Sequence, residues 1–175
     1  MSVPQTPAAV LARVLRIARF DGWSIAIVSG LSLLGVVFSL NPVTLIVAAT
    51  VFAASLHELS GARQLKAGNI AGVNALVRSQ VIILGAILAY CAVRIASYSP
   101  ELLDESLSRA QAMGYEIPIS RAELEPMVHK FYNITYSIVA AVTVCYQGGL
   151  AIYYHRRRLI LAQALAAQPP VLPPV

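Results

Sequence analysis

Apolar residues fill this chain in long blocks, and the polar residues between them mark where helices must turn. No charged or histidine side chain occurs in residues 23–56. A helix needs about 20 residues to cross the hydrocarbon core, so that block holds two spans rather than one. Asn41-Pro42 divides it: Asn tolerates the left-handed backbone at a helix end, and Pro suits the first position of the next helix. A kinked continuous helix is the alternative, and length argues against it. Further apolar blocks lie in residues 81–93 and within 127–154. The pattern predicts an all-α membrane protein with four transmembrane helices, over about residues 20–40, 43–62, 72–99 and 127–154, packed as an antiparallel bundle.

The segments between spans carry their own signals. Lys66-Ala67-Gly68-Asn69 reads as the turn between the second and third helices. In the loop 100–126, Ser99-Pro100-Glu101 is a helix start, Leu103, Leu107 and Ala110 share one face, and Gly114 stops the helix. A short amphipathic helix is therefore expected there. Ser120 to Glu123 fits a capping box, with Ile119 and Leu124 placed as a hydrophobic staple, and Pro126 kinks or restarts the helix behind it. Residues 1–19 either lie in the headgroup layer or extend the first helix into the cytoplasm. Residues 159–175 continue the last helix and end in a Pro-rich, extended tail.

Composition agrees with this pattern, and charge adds an orientation. The 175 residues are 58% hydrophobic and 12% charged, against about 25% charged in soluble domains. The formal net charge is +5, and its placement matters more than its size. Arg13, Arg16 and Arg19 precede the first span, Arg63, Lys66 and Arg78 flank the middle turn, and Arg156, Arg157 and Arg158 follow the last span. Bases in short flanking loops mark the cytoplasmic side, so both termini are expected inside, across the inner membrane, with the acid-rich loop 100–126 outside. Anionic lipid meeting these arginines accounts for the basic balance without a nucleic-acid partner. Residues 23–40 exceed the apolar core of a cleaved signal, about 7–15 residues, so they read as an uncleaved span. Asp21 is expected near the start of that span, where a carboxylate suits the helix dipole. Gly35 with Ser39, and Gly85, are candidates for close helix approach. Cys91 and Cys145 fall in spans and read as packing residues rather than a disulfide.

Ionisable residues at the ends of spans are the candidate chemistry. Folding the hairpin about residues 67–68 sets Glu58 opposite Val77 and His57 opposite Arg78, which predicts a Glu58–Arg78 ion pair with His57 beside it. Such a cluster could be a gate, a proton-linked site or an anionic headgroup pocket. The plainer reading is an ion pair that fixes the register of two short spans. His57-Glu58 begins like HExxH, but position 61 is glycine, so the zinc motif fails. Tyr132, Tyr136, Thr143, Gln147 and Tyr154 recur at helical spacing on the last span. Tyr136, Thr143 and Gln147 are the candidate bundle-lining set. Arg94 is expected to reach outward to Glu101 or Asp104. The sequence specifies no catalytic residues, metal ligands or cofactor. The leading expectation is a non-enzymatic membrane protein acting by helix packing, with the lipid bilayer and a second copy or another membrane protein as partners. A transporter or channel subunit using the His57, Glu58 and Arg78 cluster is the alternative. A haem- or metal-binding protein using His57 and His155 is the third.

Overall fold

A computed structural model describes residues 6–39, 41–114 and 120–167. The Pro-rich tail and Ile119 of the expected staple lie outside them. The protein is all-α: no strand occurs among the described residues. The helices are α1 (Pro7–Ser39), α2 (Pro42–Lys66), α3 (Ala71–Ala96), α4 (Glu101–Ala112), α5 (Arg121–Thr143) and α6 (Gly149–Ala166), with a π-helical segment, Val144–Gly148, joining the last two. Among the described residues, four stretches are long and apolar enough to cross a membrane: Pro7–Val36, Pro42–Lys66, Ala71–Ala96 and Arg121–Ala166.

Local chemistry sets the boundaries. Asn41 is extended (φ −79°, ψ 111°) and accepts the Thr44 N–H on its side chain at 3.1 Å, with Pro42 first in the helix behind it. It therefore caps the start of α2 rather than closing α1 in the left-handed form expected. Gly68 (φ 88°) and Gly114 (φ 82°) supply the positive φ that ends α2 and α4. Glu101 N–H reaches the Ser99 hydroxyl at 3.3 Å. Glu123 reaches back to Ser120, accepting from its N–H at 3.3 Å and its hydroxyl at 2.9 Å, which is half of the expected capping box. α5 runs through Pro126 without ending.

The chain forms two compact units. The first comprises residues 1–87 and 143–175. Its core draws on four helices: Val10, Leu11, Val14 and Ala18 of α1, Ala62 and Leu65 of α2, Val73 and Leu76 of α3, and Tyr154, Leu161 and Ala164 of α6. α1 is one helix from Pro7, so the N-terminal arginines extend the first span. α2 buries Val51, Ala54, Ser55, Glu58, Leu59, Ala62 and Leu65, a stripe at helical spacing. α2 and α3 meet backbone to backbone. A Cβ on Gly61 would lie 2.9 Å from the Ala75 Cβ and 3.0 Å from the Gly72 carbonyl oxygen, and one on Gly72 would strike the Gly61 carbonyl oxygen. Gly22 likewise leaves room for Leu59. The glycines singled out from sequence do otherwise: no described atom lies within 4 Å of a Cβ placed on Gly35 or Gly85.

The second unit comprises residues 88–142. Arg121 joins Asp104 at 2.8 Å, tying the start of α5 to α4. Arg94 does not reach Glu101 or Asp104. Its Nε donates to the Tyr136 hydroxyl at 3.2 Å, and its guanidinium lies 5.7 Å from the Tyr132 ring and 5.8 Å from the Tyr136 ring. A weakly hydrated, planar cation is better satisfied by two aromatic faces and a hydroxyl than by stretching to solvent. Tyr98 stacks on His129 at 4.3 Å and meets Tyr132 edge-on at 5.2 Å.

Candidate functional site

The first unit holds two carboxyl groups inside its helices. Asp21 is 3% exposed and Glu58 is fully buried. Asp21 is well inside α1, about four turns beyond Pro7, so it is not at a helix N-terminus and the dipole argument for it does not hold. Glu58 falls on the buried stripe of α2. Gln80 of α3 and Tyr154 of α6 are also fully buried, and Tyr146 comes from the π-helical segment. Five residues from separate parts of the chain thus converge.

Hydrogen bonds divide their roles. Gln80 Nε2 donates to Asp21 Oδ2 at 2.9 Å, and the Tyr146 hydroxyl donates to Asp21 Oδ1 at 2.9 Å. Both oxygens of Asp21 are therefore satisfied as acceptors, the arrangement that suits an ionised carboxylate. Glu58 is served poorly. Its Oε1 receives one long bond, 3.4 Å, from the Tyr154 hydroxyl, and its Oε2 has no hydrogen-bond partner among the described residues. Gln80 Oε1 and Gln147 Oε1 are unpartnered in the same way. Asp21 and Gln80 both lie within interaction range of the Glu58 carboxyl. No lysine or arginine forms an ion pair with either acid among the described residues, where the ion pairs join Arg109 to Glu105 and Arg121 to Asp104.

As a carboxylate, Glu58 leaves Oε2 a bare buried acceptor. With a hydrogen on it, the carboxyl becomes a donor, and the Asp21 carboxylate lies within interaction range as an acceptor. Taking a charge out of water costs several kcal/mol, so a second uncompensated buried carboxylate near Asp21 is strongly disfavoured.

The residues proposed from sequence separate. Glu58 joins the buried site. His57 and Arg78 are exposed, and the expected Glu58–Arg78 ion pair does not form. Hairpin folding gave the depth of these residues but not the helix face. The buried stripe of α2 is centred between Glu58 and Leu59, and His57, about 100° to the other side of Glu58, falls on the exposed face with Leu56. Arg78 instead lines a cavity with Asn74, His155 and Arg158, and His57 is not part of it. Thr143 and Gln147 are buried in the first unit, whereas Tyr136 packs with Arg94 in the second. Among the described residues, no three His, Cys, Asp or Glu side chains gather to hold a metal.

Sequence reasoning missed the pairing of Asp21 with Glu58. A signal for it was present, because Asp21 precedes the Asn41 turn by nearly as many residues as Glu58 follows it. Tyr146 could not have been placed, since the π turn changes which face of the helix it occupies.

Comparison with family models, curated proteins and solved structures gives no match.

Proposed function

We propose that this chain is a small multi-pass membrane protein that binds and releases protons at Glu58, with Asp21 as the fixed negative charge beside it. The supporting observation is a buried acid pair with no basic ion-pair partner among the described residues, in which one acid has both oxygens satisfied and the other has an oxygen with no hydrogen-bond partner among them. Ionisable groups inside membrane helices mark proton and ion paths more often than structural contacts. Tyr154 and Gln80 position the Glu58 carboxyl, and Gln147 provides a further unpartnered oxygen on the same segment as Tyr146. Both termini and the 66–69 turn are assigned to the cytoplasm, because basic residues crowd these ends.

Proteoliposomes loaded with a pH-sensitive dye test the reading. The wild type is expected to relax an imposed pH gradient, and Glu58→Gln, which keeps the shape but cannot release a proton, is expected to abolish this. A packing role for the cluster gives the opposite pattern: neither protein passes protons, and the variant differs only in stability. Flux through Glu58→Gln at the wild-type rate would exclude Glu58 as the carrier.

A further inference from the structure

A second site of opposite charge lies between α3 and α6 in the first unit. Asn74 and Arg78 stand one turn apart on α3, and His155 and Arg158 stand nearly one turn apart on α6. Together with Val73 and Val77 they line a cavity of about 270 Å³. The lining holds two guanidinium groups, an imidazole and an amide, and no acid. None of Arg78, His155 or Arg158 is in an ion pair among the described residues. Cations arranged around one cavity repel each other unless an anion sits between them. Two guanidinium groups lining one cavity can meet the oxygens of a phosphate group.

Size and surroundings narrow the ligand. At about 270 Å³ the cavity falls just below the roughly 300–1,000 Å³ of sites for drug-sized molecules, a size that suits a phosphate group with a few attached atoms. It opens between two helices long and apolar enough to cross a membrane, at the end where α3 begins beside the 67–70 turn. Val73 and Val77 form the apolar wall, and Leu159, next to Arg158, is 78% exposed. An ester-linked apolar chain leaving the phosphate would find these surfaces, whereas free phosphate would leave them unused. Basic pockets between membrane helices at the boundary are suited to anionic lipid heads.

We infer that Arg78, His155 and Arg158 bind the phosphodiester of an anionic phospholipid, with Asn74 contacting its glycerol or ester oxygens. This site is independent of proton binding at Glu58.

Native mass spectrometry of the full-length protein in detergent tests the assignment, with phosphatidylglycerol, phosphatidylcholine and inorganic phosphate as separate probes. Phosphatidylglycerol is expected to bind in preference to phosphatidylcholine. The double variant Arg78→Gln/Arg158→Gln is expected to weaken phosphatidylglycerol binding at least about tenfold, the loss expected for a charged hydrogen bond, and to leave phosphatidylcholine binding unchanged. Arg109→Gln, in the other unit, should change neither. If that double variant fails to fold, Arg158→Lys, which keeps the charge but loses the fork, should show a partial loss. Inorganic phosphate binding as tightly as the lipid, and lost in the same variants, would overturn the lipid and assign the site to free phosphate. Equal affinity for the two lipids, or undiminished phosphatidylglycerol binding in the variants, would overturn the site altogether.

Discussion

Asp21 is the acceptor on which the buried site depends, because it takes hydrogen bonds from both Gln80 and Tyr146. Replacing it with alanine strands the buried amide of Gln80 and removes the Tyr146 bond, and leaving one buried donor unmatched costs about 1–3 kcal/mol. Asp21→Ala should therefore lower unfolding stability in detergent by about that amount, measured by denaturant titration. Glu58→Gln should behave differently. The amide keeps an acceptor for Tyr154 and gains a donor for an unmatched oxygen, so its stability should lie within about 1 kcal/mol of the wild type. A loss as large as that of Asp21→Ala would count against the neutral form of Glu58 described above. At this scale the sequence was half legible. That Glu58 faces inward follows from the i, i+3, i+4 spacing of Val51, Ala54, Ser55, Leu59, Ala62 and Leu65. Its partners do not follow from spacing within α2, because they come from α1, α3 and α6.

The helices themselves were the most readable element, since apolar blocks of this length leave few other folds. Their contacts were not, because a small residue shows where a neighbour can approach without showing whether one does. Gly35 and Gly61 look alike in sequence, yet only Gly61 has a backbone against it. Gly72→Leu should disrupt the α2–α3 crossing and destabilise the protein by about 1–3 kcal/mol or more, whereas Gly35→Leu should be close to neutral in the same thermal assay. The π segment also escaped a sequence reading. Such a turn accommodates one extra residue without breaking the helix. Deleting Cys145, an exposed residue of that segment, should return it to α-helical register and rotate everything beyond it by about 100°. Tyr154 would then leave Glu58, and stability should fall although the local helix becomes more regular. If the deletion variant is as stable as the wild type, Tyr154 is not needed to hold α6 in place.

For the molecule as a whole, the distribution of apolar and basic side chains is the main constraint. Leu31, Ile46, Phe131 and Leu159 are among the large apolar residues left more than half exposed, as lipid-facing positions would be. The core that joins the start of α1, the end of α2, the start of α3 and α6 brings Arg13, Arg63, Arg78 and Arg158 to a common end of the first unit. With Cys91 and Cys145 replaced by serine, a cysteine introduced at Gly68 should react with an impermeant maleimide only from the cytoplasmic side, and one at Glu105 only from outside. The reverse pattern would invert the proposed topology. The meeting of Gly61 and Gly72 has one more consequence. With no side chain between them to swing aside, α2 and α3 meet at a contact that tolerates little change in their spacing, so the pair acts as one strut. Glu58 and Gln80 are both mounted on it.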